Sequence, residues 1–128
     1  MDKKASNCIF CNISPDRVLI ENELSLAFYD AYPVTELHTL IIPKRHFANY
    51  FDSTKDEIMA FNSILHQLQD DIRREDSLVK GFNVGVNCGE VAGQTIFHCH
   101  IHLIPRRKGD VEDPRGGIRH LIPGKGYY

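Results

Sequence analysis

The apolar positions of the chain follow two periods, one typical of an α-helix and one typical of strands. Apolar residues at positions 58, 61, 65, 68 and 72 repeat every three or four residues, which puts them on one stripe of a helix. Thr54 precedes this stripe and Glu57 follows three residues later, the spacing of a capping box, so we predict a long helix over residues 54–76. Short apolar or alternating runs predict strands at 18–20, 24–29, 38–42, 82–87 and 95–104.

Strands on both sides of one long helix predict an antiparallel α+β fold. We expect a sheet of about five strands, the long helix, and one short helical turn within residues 44–51. The 128 residues are enough for one domain with a real core. We therefore predict a single domain over 1–128, with its core at about 8–107 and a Gly- and Pro-rich surface tail over 108–128.

The composition limits the kinds of partner that we expect this protein to bind. The net charge is -2 with the histidines neutral, so no basic field favours nucleic acid as the main partner. No apolar run approaches the roughly 20 residues that a membrane span requires, and residues 1–5 do not resemble a signal peptide. We expect a cytoplasmic protein with no nucleic-acid or membrane partner.

Residues 98–105 (HCHIHLIP) contain three of the seven histidines, each separated from the next by one apolar residue. This alternation predicts a strand with His98, His100 and His102 on one face. The outer two would lie roughly 13 Å apart along a regular strand, too far for one zinc ion to bind both. A neutral imidazole can attack phosphorus or a carbonyl carbon, and a neighbouring imidazole can stabilise the reacting group. The alternative is a strand whose histidines only face water or hydrogen-bond to each other.

The longer segment 94–105 (QTIFHCHIHLIP) resembles the signature of the histidine triad (HIT) family, His-φ-His-φ-His-φ-φ, where φ is apolar. Segments 28–30, 38–46 and 87–89 fall in the family's order and spacing. The resemblance covers about residues 8–107, and Cys99 occupies a φ position that is more often aliphatic. It implies a nucleotide hydrolase or transferase that acts on an α-phosphate without a catalytic cofactor, and a homodimer in which two sheets are joined.

The resemblance also implies roles for three histidines. His100 would be the nucleophile and would form a nucleotidyl-histidine intermediate. His102 would contact the phosphate and assist proton transfer, and His38 would help to hold the same group.

Further positions are implied as substrate-binding residues for a purine nucleotide, most often one with adenine. Asp30 matches the residue that binds the ribose hydroxyls, and Asn87 lies where the family binds the phosphate region. Gln94 and Thr95 correspond to the bridging or leaving-group side. The apolar slot for the base would be formed by Ile9, Phe10, Ile13 and Phe28. Each of these four has core packing as its plain alternative.

Cys8 and Cys11 have the two-residue gap that lets both sulfurs bind one zinc ion. Free thiols and a redox pair are the alternatives. Zinc-containing members of the family, and the related galactose-1-phosphate uridylyltransferases, suggest His46 and His98 as the two remaining ligands. We therefore expect a structural zinc, which would remove His98 from direct chemistry.

The expected function is hydrolysis or transfer at the α-phosphate of an adenosine-type conjugate, either a dinucleoside polyphosphate or a nucleoside phosphoramidate. The basic segment 105–107 weakly favours dinucleoside polyphosphates, although a solvated basic edge is the commoner explanation of such charges. Two alternatives remain: a zinc-stabilised, nucleotide-binding interaction protein with little turnover, and a metallohydrolase.

Overall fold

The computed structural model describes residues 7–127 and contains one five-stranded antiparallel sheet and one α-helix. The strands lie in the order β1-β2-β3-β5-β4. Their bounds are β1 Val18–Glu21, β2 Ser25–Tyr29, β3 Thr39–Pro43, β4 Val79–Val86 and β5 Ile101–Arg107, and the helix is α1 Lys55–Glu75. The predicted α+β class and the strand number are confirmed.

Four short 3₁₀ turns complete the described structure, at Pro15–Arg17, Tyr50–Asp52, Glu90–Ala92 and Gly117–Leu121. The short helix expected within 44–51 is thus only a 3₁₀ turn that begins at Tyr50. Its start is fixed by Asn49, whose side chain accepts a hydrogen bond from the Phe51 amide. Among the described residues, no helix is both long enough and apolar enough to cross a membrane.

The capping box predicted for α1 is confirmed. The Thr54 hydroxyl accepts from the Glu57 amide at 3.1 Å, and the Glu57 carboxylate accepts from the Thr54 amide at 2.8 Å. The buried face of α1 centres on Phe61, Ile64 and Leu68 and packs on one side of the sheet. This side of the sheet holds the larger part of the core.

A second, smaller cluster lies on the opposite face of the sheet, where Phe28 of β2 and Leu40 of β3 pack with Phe10 from the N-terminal segment. Phe28 is paired with Leu40, and Leu40 with His102, across three neighbouring strands. Residues directly opposite each other in a sheet share a face. His102 therefore lies on the face that α1 leaves uncovered.

The prediction of a strand over 95–104 is wrong at its start and its end. Strand β5 begins only at Ile101 and continues to Arg107. Before it, the Cys99 amide donates to the carbonyl of Phe47 at 2.7 Å, so this part of the chain is held to another loop and not to β3. His98 and His100 consequently precede the strand, and the three histidines do not form one row.

Candidate active site and metal cluster

Cys8, Cys11, His46 and His98 converge, with one ligand atom from each lying within 4.8 Å of the others. Nδ1 of His98 lies 3.5 Å from each of the two sulfurs. Nδ1 of His46 lies 3.2 Å from the Cys11 sulfur and 3.2 Å from Nδ1 of His98. Zinc bonds of about 2.3 Å to sulfur and about 2.0 Å to nitrogen place tetrahedral S and N ligands about 3.5 Å apart, and two N ligands about 3.3 Å apart. The donor set fits a tetrahedral metal.

The hydrogen bonding of His98 supports the same assignment. Its Nε2 lies 2.8 Å from the carbonyl oxygen of Pro43, which can only accept, so Nε2 carries the proton and Nδ1 keeps its lone pair. The His98 side chain is fully buried. Burial lowers its pKa, against the opposing effect of the Pro43 hydrogen bond, and so favours the neutral ring that a metal requires. These four residues can hold a metal ion.

His100 has the opposite tautomer. Its Nδ1 lies 2.8 Å from the main-chain carbonyl oxygen of His98, so Nδ1 carries the proton and Nε2 keeps the lone pair. The ring packs edge-on against Phe10, with 5.0 Å between centroids. It is half-buried and lines a cavity. In this tautomer, His100 can act as a nucleophile through Nε2.

His38 and His102 form a hydrogen-bonded chain. The Val34 amide donates to Nδ1 of His38 at 3.1 Å, so Nε2 of His38 carries the proton and donates to Nδ1 of His102 at 3.0 Å. His102 thus has its remaining proton on Nε2. Burial, with smaller effects from the two neighbouring histidines, lowers the pKa of His102 to about 4. His102 is a neutral hydrogen-bond donor at neutral pH, not a cation.

Asp30 and the backbone next to His38 hold the hydrogen-bonded pair of His38 and His102 in place. Oδ2 of Asp30 lies 3.6 Å from Nε2 of His38, and Oδ1 accepts from the Tyr32 amide at 2.8 Å. Burial lowers the pKa of His38, partly offset by Asp30. Leu37, directly before His38, has a φ of +70°, a strained conformation for a leucine, of a kind concentrated at functional sites.

Asp30, His38 and His102 also form a second group whose ligand atoms lie within 4.8 Å of one another. In the hydrogen-bond chain, however, the proton of His38 faces the lone pair of His102. A cation at this point would have to replace that proton. The group is arranged for hydrogen bonding.

The cavity beside His100 has a volume of about 380 Å³ and opens on the sheet face opposite α1. It is here called the nucleoside cavity, after the ligand that the sequence resemblance implies. It is lined by all of the predicted catalytic and substrate-binding residues except Gln94: Ile9, Phe10, Ile13, Phe28, Asp30, His38, Asn87, Thr95, His100 and His102. The sequence analysis did not identify Arg17, whose guanidinium carbon lies 5.2 Å from the centroid of the Phe28 ring. Nothing in the pattern around Arg17 distinguishes it from other surface cations.

Gln94 is the exception among the predicted substrate-binding residues, because it does not line the nucleoside cavity. Its side chain is buried, donates to the carbonyls of Ala48 and Ile96, and accepts from the Gly89 amide. These bonds use the whole amide group to brace a loop. The structure places Gln94 behind the cavity wall.

The basic segment after the histidines is paired with acidic side chains. Arg106 makes two hydrogen bonds of 2.8 Å to Asp110 and a third, of 2.7 Å, to Asn83. Arg107 pairs with Asp76 at 2.9 Å. Both guanidinium charges are therefore largely neutralised within the protein.

Comparison with known proteins identifies the family. Residues 12–109 match the model of the HIT domain, and the chain belongs to this family. It is 41% identical over 111 residues to Protein hit of Bacillus subtilis, covering 83% of this chain and 76% of that protein. It is 36% identical over 109 residues to the adenylylsulfatase HINT3 of Arabidopsis thaliana, covering 82% of this chain and 55% of that protein.

Solved structures agree with this assignment. A Zn-bound histidine triad family protein from Mycobacterium smegmatis has a TM-score of 0.75 and 32% identity, covering 84% of this chain and 80% of that one. The diadenosine triphosphate hydrolase of Plasmodium falciparum has a TM-score of 0.72 and 27% identity, covering 79% of this chain and 68% of that one. The HIT fold and family are thus shown, and the relatives include nucleotide hydrolases.

Proposed function

We propose that this protein hydrolyses or transfers the nucleotidyl group of adenosine-type conjugates through a covalent intermediate on His100. The observation that carries the proposal is the hydrogen bond from Nδ1 of His100 to the carbonyl of His98. It leaves the lone pair on Nε2 of a ring that borders a cavity of nucleoside size.

In the first half-reaction, Nε2 of His100 attacks the α-phosphorus. A P–N bond forms, and the bond from phosphorus to the leaving group breaks. The leaving group departs with the electron pair and takes a proton from solvent. Nε2–H of His102 donates to a phosphoryl oxygen, where negative charge grows in the transition state.

In the second half-reaction, water or another acceptor attacks the phosphorus. The P–N bond breaks, its electron pair returns to Nε2 of His100, and the proton of the acceptor passes to solvent. His38 keeps His102 in the donating tautomer throughout, through its own bond to the Val34 amide.

Substrate binding follows from the walls of the nucleoside cavity. Ile9, Phe10, Ile13 and Phe28 form an apolar slot suited to a purine base. Asp30 offers carboxylate oxygens to ribose hydroxyls. Thr95 and Asn87 line the same cavity as His100 and His102 and serve the phosphate and leaving-group side.

Zinc is the metal we propose for the cysteine and histidine cluster. Two thiolates and two imidazoles in a closed set of four are typical of a structural site, because no position is left for substrate. Its contribution would be to hold the loop of Cys8 and Cys11 against His46 and His98.

We further propose a cytoplasmic homodimer joined through β4. This strand is an edge of the sheet, with β5 as its one neighbour in the described structure, and Val84 on it is half exposed. A free edge with an apolar side chain is suited to pairing with a second copy. Sedimentation of the wild type and a Val84→Lys variant tests this, because the variant should be monomeric.

The experiment for the activity compares wild type with His100→Asn, and with His66→Asn as the control on the exposed side of α1. Each protein is incubated with adenosine 5′-phosphoramidate or diadenosine triphosphate, and the products are identified. We expect His100→Asn to lose at least about 10³-fold in kcat while still binding AMP, and His66→Asn to keep full activity. Mass spectrometry after a rapid alkaline quench should show one adenylyl group on the peptide that contains His100.

Two outcomes would overturn the proposal. Equal turnover by His100→Asn and wild type would exclude this nucleophile. Nucleotide binding without turnover of any conjugate would instead favour the interaction protein.

A further inference from the structure

Two cysteines outside the metal cluster, Cys88 and Cys99, lie just beyond the paired part of β4 and β5. The last pair of this ladder is Val86 with Ile101. The same register, continued by two residues along each chain, puts Cys88 opposite Cys99. Both are thiols in the structure. The sequence analysis assigned no role to either of them.

The side chains next to these cysteines indicate that both thiols lie on the α1 side of the sheet. Asn87 and His100 line the nucleoside cavity, which opens on the other face. Cys99 is 1% exposed and packs with Ile101 in the larger core cluster. Since successive side chains of an extended chain alternate between faces, Cys88 lies on the face opposite to Asn87, which is the face of Cys99.

The backbone of Cys99 indicates how close the two residues approach. Its amide donates at 2.7 Å to the carbonyl of Phe47, in the loop that follows β3, and β3 flanks β5 on the side away from β4. Opposite residues of an antiparallel pair that exchange no hydrogen bonds have their Cα atoms about 4.5 Å apart. This separation is within the range of about 4.4–6.8 Å that a disulfide spans.

We infer that Cys88 and Cys99 form an oxidisable pair, which a peroxide converts into a reversible disulfide. Oxidation begins at Cys88, which is half-buried, because the core closes off Cys99. The sulfur of Cys88 takes one oxygen from the peroxide and becomes a sulfenic acid, and water leaves. The sulfur of Cys99 then attacks that of Cys88, so that the S–S bond forms and the S–O bond breaks.

The hydroxyl group departs with the thiol proton of Cys99 as a second water. Overall, the two thiols lose two electrons and two protons, and hydrogen peroxide is reduced to two waters. A dithiol reverses the change by thiol–disulfide exchange and is itself oxidised to a disulfide.

The disulfide would disturb the nucleotide site because it closes next to it. The Cβ atoms of opposite residues lie about 4.5–5.5 Å apart, whereas a disulfide holds them at about 3.8 Å, so the two chains are drawn together by about 1 Å. The bond from Nδ1 of His100 to the carbonyl of His98 spans Cys99, so this shift moves the proposed nucleophile. A misplacement of about 1 Å can lower a rate by about 100-fold. This loss of turnover rests on the proposed function, whereas formation of the disulfide does not.

The test treats wild type, Cys88→Ser and Cys99→Ala with one equivalent of hydrogen peroxide, and then treats half of each sample with dithiothreitol. Cleavage after Glu90, which lies between the two cysteines, separates their peptides unless a disulfide joins them, and mass spectrometry detects the joined pair. The kcat with adenosine 5′-phosphoramidate is measured in parallel. We expect oxidised wild type to contain the Cys88–Cys99 crosslink and to lose at least about tenfold in kcat, and dithiothreitol to reverse both changes.

The two variants separate this pair from the thiols of the metal cluster. Cys88→Ser should form no crosslink and keep its kcat in peroxide. In Cys99→Ala, the sulfenic acid on Cys88 has no partner, so dimedone should label this residue.

Three results would overturn the inference: no crosslink in oxidised wild type, a crosslink without loss of kcat, or an equal loss in Cys88→Ser, which would assign the effect to Cys8 and Cys11. If reduced wild type turned over no conjugate at all, the proposed function would fail, and the presence or absence of the crosslink would decide the inference alone.

Discussion

Nδ1 of His100 donates to the main-chain carbonyl of His98, whose own imidazole lies in the cluster with Cys8 and Cys11. His98 thus links the candidate metal-binding cluster to the proposed nucleophile, His100. Ile9 and Phe10 lie between Cys8 and Cys11 in the sequence, and both line the nucleoside cavity. The cluster therefore also shapes that cavity. The proposed metal site and the proposed reaction site are therefore two sides of one local structure.

A Cys8→Ser substitution should therefore reduce metal content, stability and catalysis together. If metal affinity falls 100-fold, the unfolding free energy falls by about 2.7 kcal/mol. The KM for the adenosine conjugate should rise because the wall of the nucleoside cavity loosens. Elemental analysis, urea unfolding and steady-state kinetics measure the three effects.

The control for this prediction is Cys88→Ser, because Cys88 is half-buried but lies outside the cluster. It should retain metal and stability. A wild-type protein purified without metal, yet as stable as the metal-loaded protein, would contradict the prediction.

The pH dependence of stability should report on His102. Its pKa is about 4 in the folded protein and about 6.5 when unfolded, so the unfolded chain binds more protons between these values. Stability is thus full above pH 6.5 and is lost as the pH falls from 6.5 towards 4, by about 3 kcal/mol at most. His38, with its pKa also lowered, acts in the same direction.

Urea unfolding from pH 4.5 to 7.5 measures this loss. His102→Gln should show a shallower dependence than wild type, whereas His66→Gln, on the exposed side of α1, should keep the wild-type slope. An unchanged slope in His102→Gln would show that burial of this ring does not govern the acid sensitivity.

Local signals predicted those parts of the fold that local interactions determine. The start of α1 follows from the reciprocal bonds of Thr54 and Glu57, only three residues apart. Strand β3 is a continuous apolar run, as is typical of a strand buried on both faces, and it ends at Pro43. In both cases the residues that decide the structure are neighbours in sequence.

The histidine segment shows where local pattern fails. Alternation predicted one row of three rings, but His98 is turned inward by partners 55 and 90 residues away, the Pro43 carbonyl and the Cys8 sulfur. Gln94 likewise lies behind the cavity because of a bond to Ala48, 46 residues away. Period-2 spacing carries no information about such distant contacts. The family resemblance did imply the separate position of His98, since it suggested this residue as a metal ligand.

Glu57 should be a major contributor to stability near the metal cluster. It is 3% exposed and accepts two hydrogen bonds from Arg45, the residue before His46, and one from the Thr54 amide. Burial opposes its charge, but the hydrogen bonds from Arg45 and Thr54 outweigh burial and hold the pKa of Glu57 below its usual value. Glu57→Ala should lower the unfolding free energy by about 2–3 kcal/mol, less than for a fully buried pair because Arg45 is partly exposed.

Asp56→Ala is the matched control, since Asp56 is an exposed acid in the same first turn of α1. Asp56→Ala should lower the unfolding free energy, measured by urea unfolding, by less than about 1 kcal/mol. Similar losses of unfolding free energy in the two variants would show that the Glu57–Arg45 pair contributes little beyond the effect of a negative charge at the start of α1.

Gly116 should control the position of the C-terminal segment. Its φ is +90°, and a Cβ at this position would collide with the carbonyl oxygen of Gly126. Gly116 also precedes the 3₁₀ turn Gly117–Leu121, whose residues Ile118 and Leu121 line a cavity together with Val84 of β4. Gly116→Ala should therefore displace this turn, at a local cost of about 1–3 kcal/mol. The collision involves only Gly116 and Gly126, so the urea midpoint of the sheet and α1 should stay near that of wild type.

Limited proteolysis measures the displacement. Gly116→Ala should be cut faster than wild type within residues 111–127. Lys125→Ala changes an exposed side chain of the same segment and should behave as wild type. Cutting of Gly116→Ala at the wild-type rate would contradict the prediction, because the position of this segment would then not depend on the conformation of Gly116.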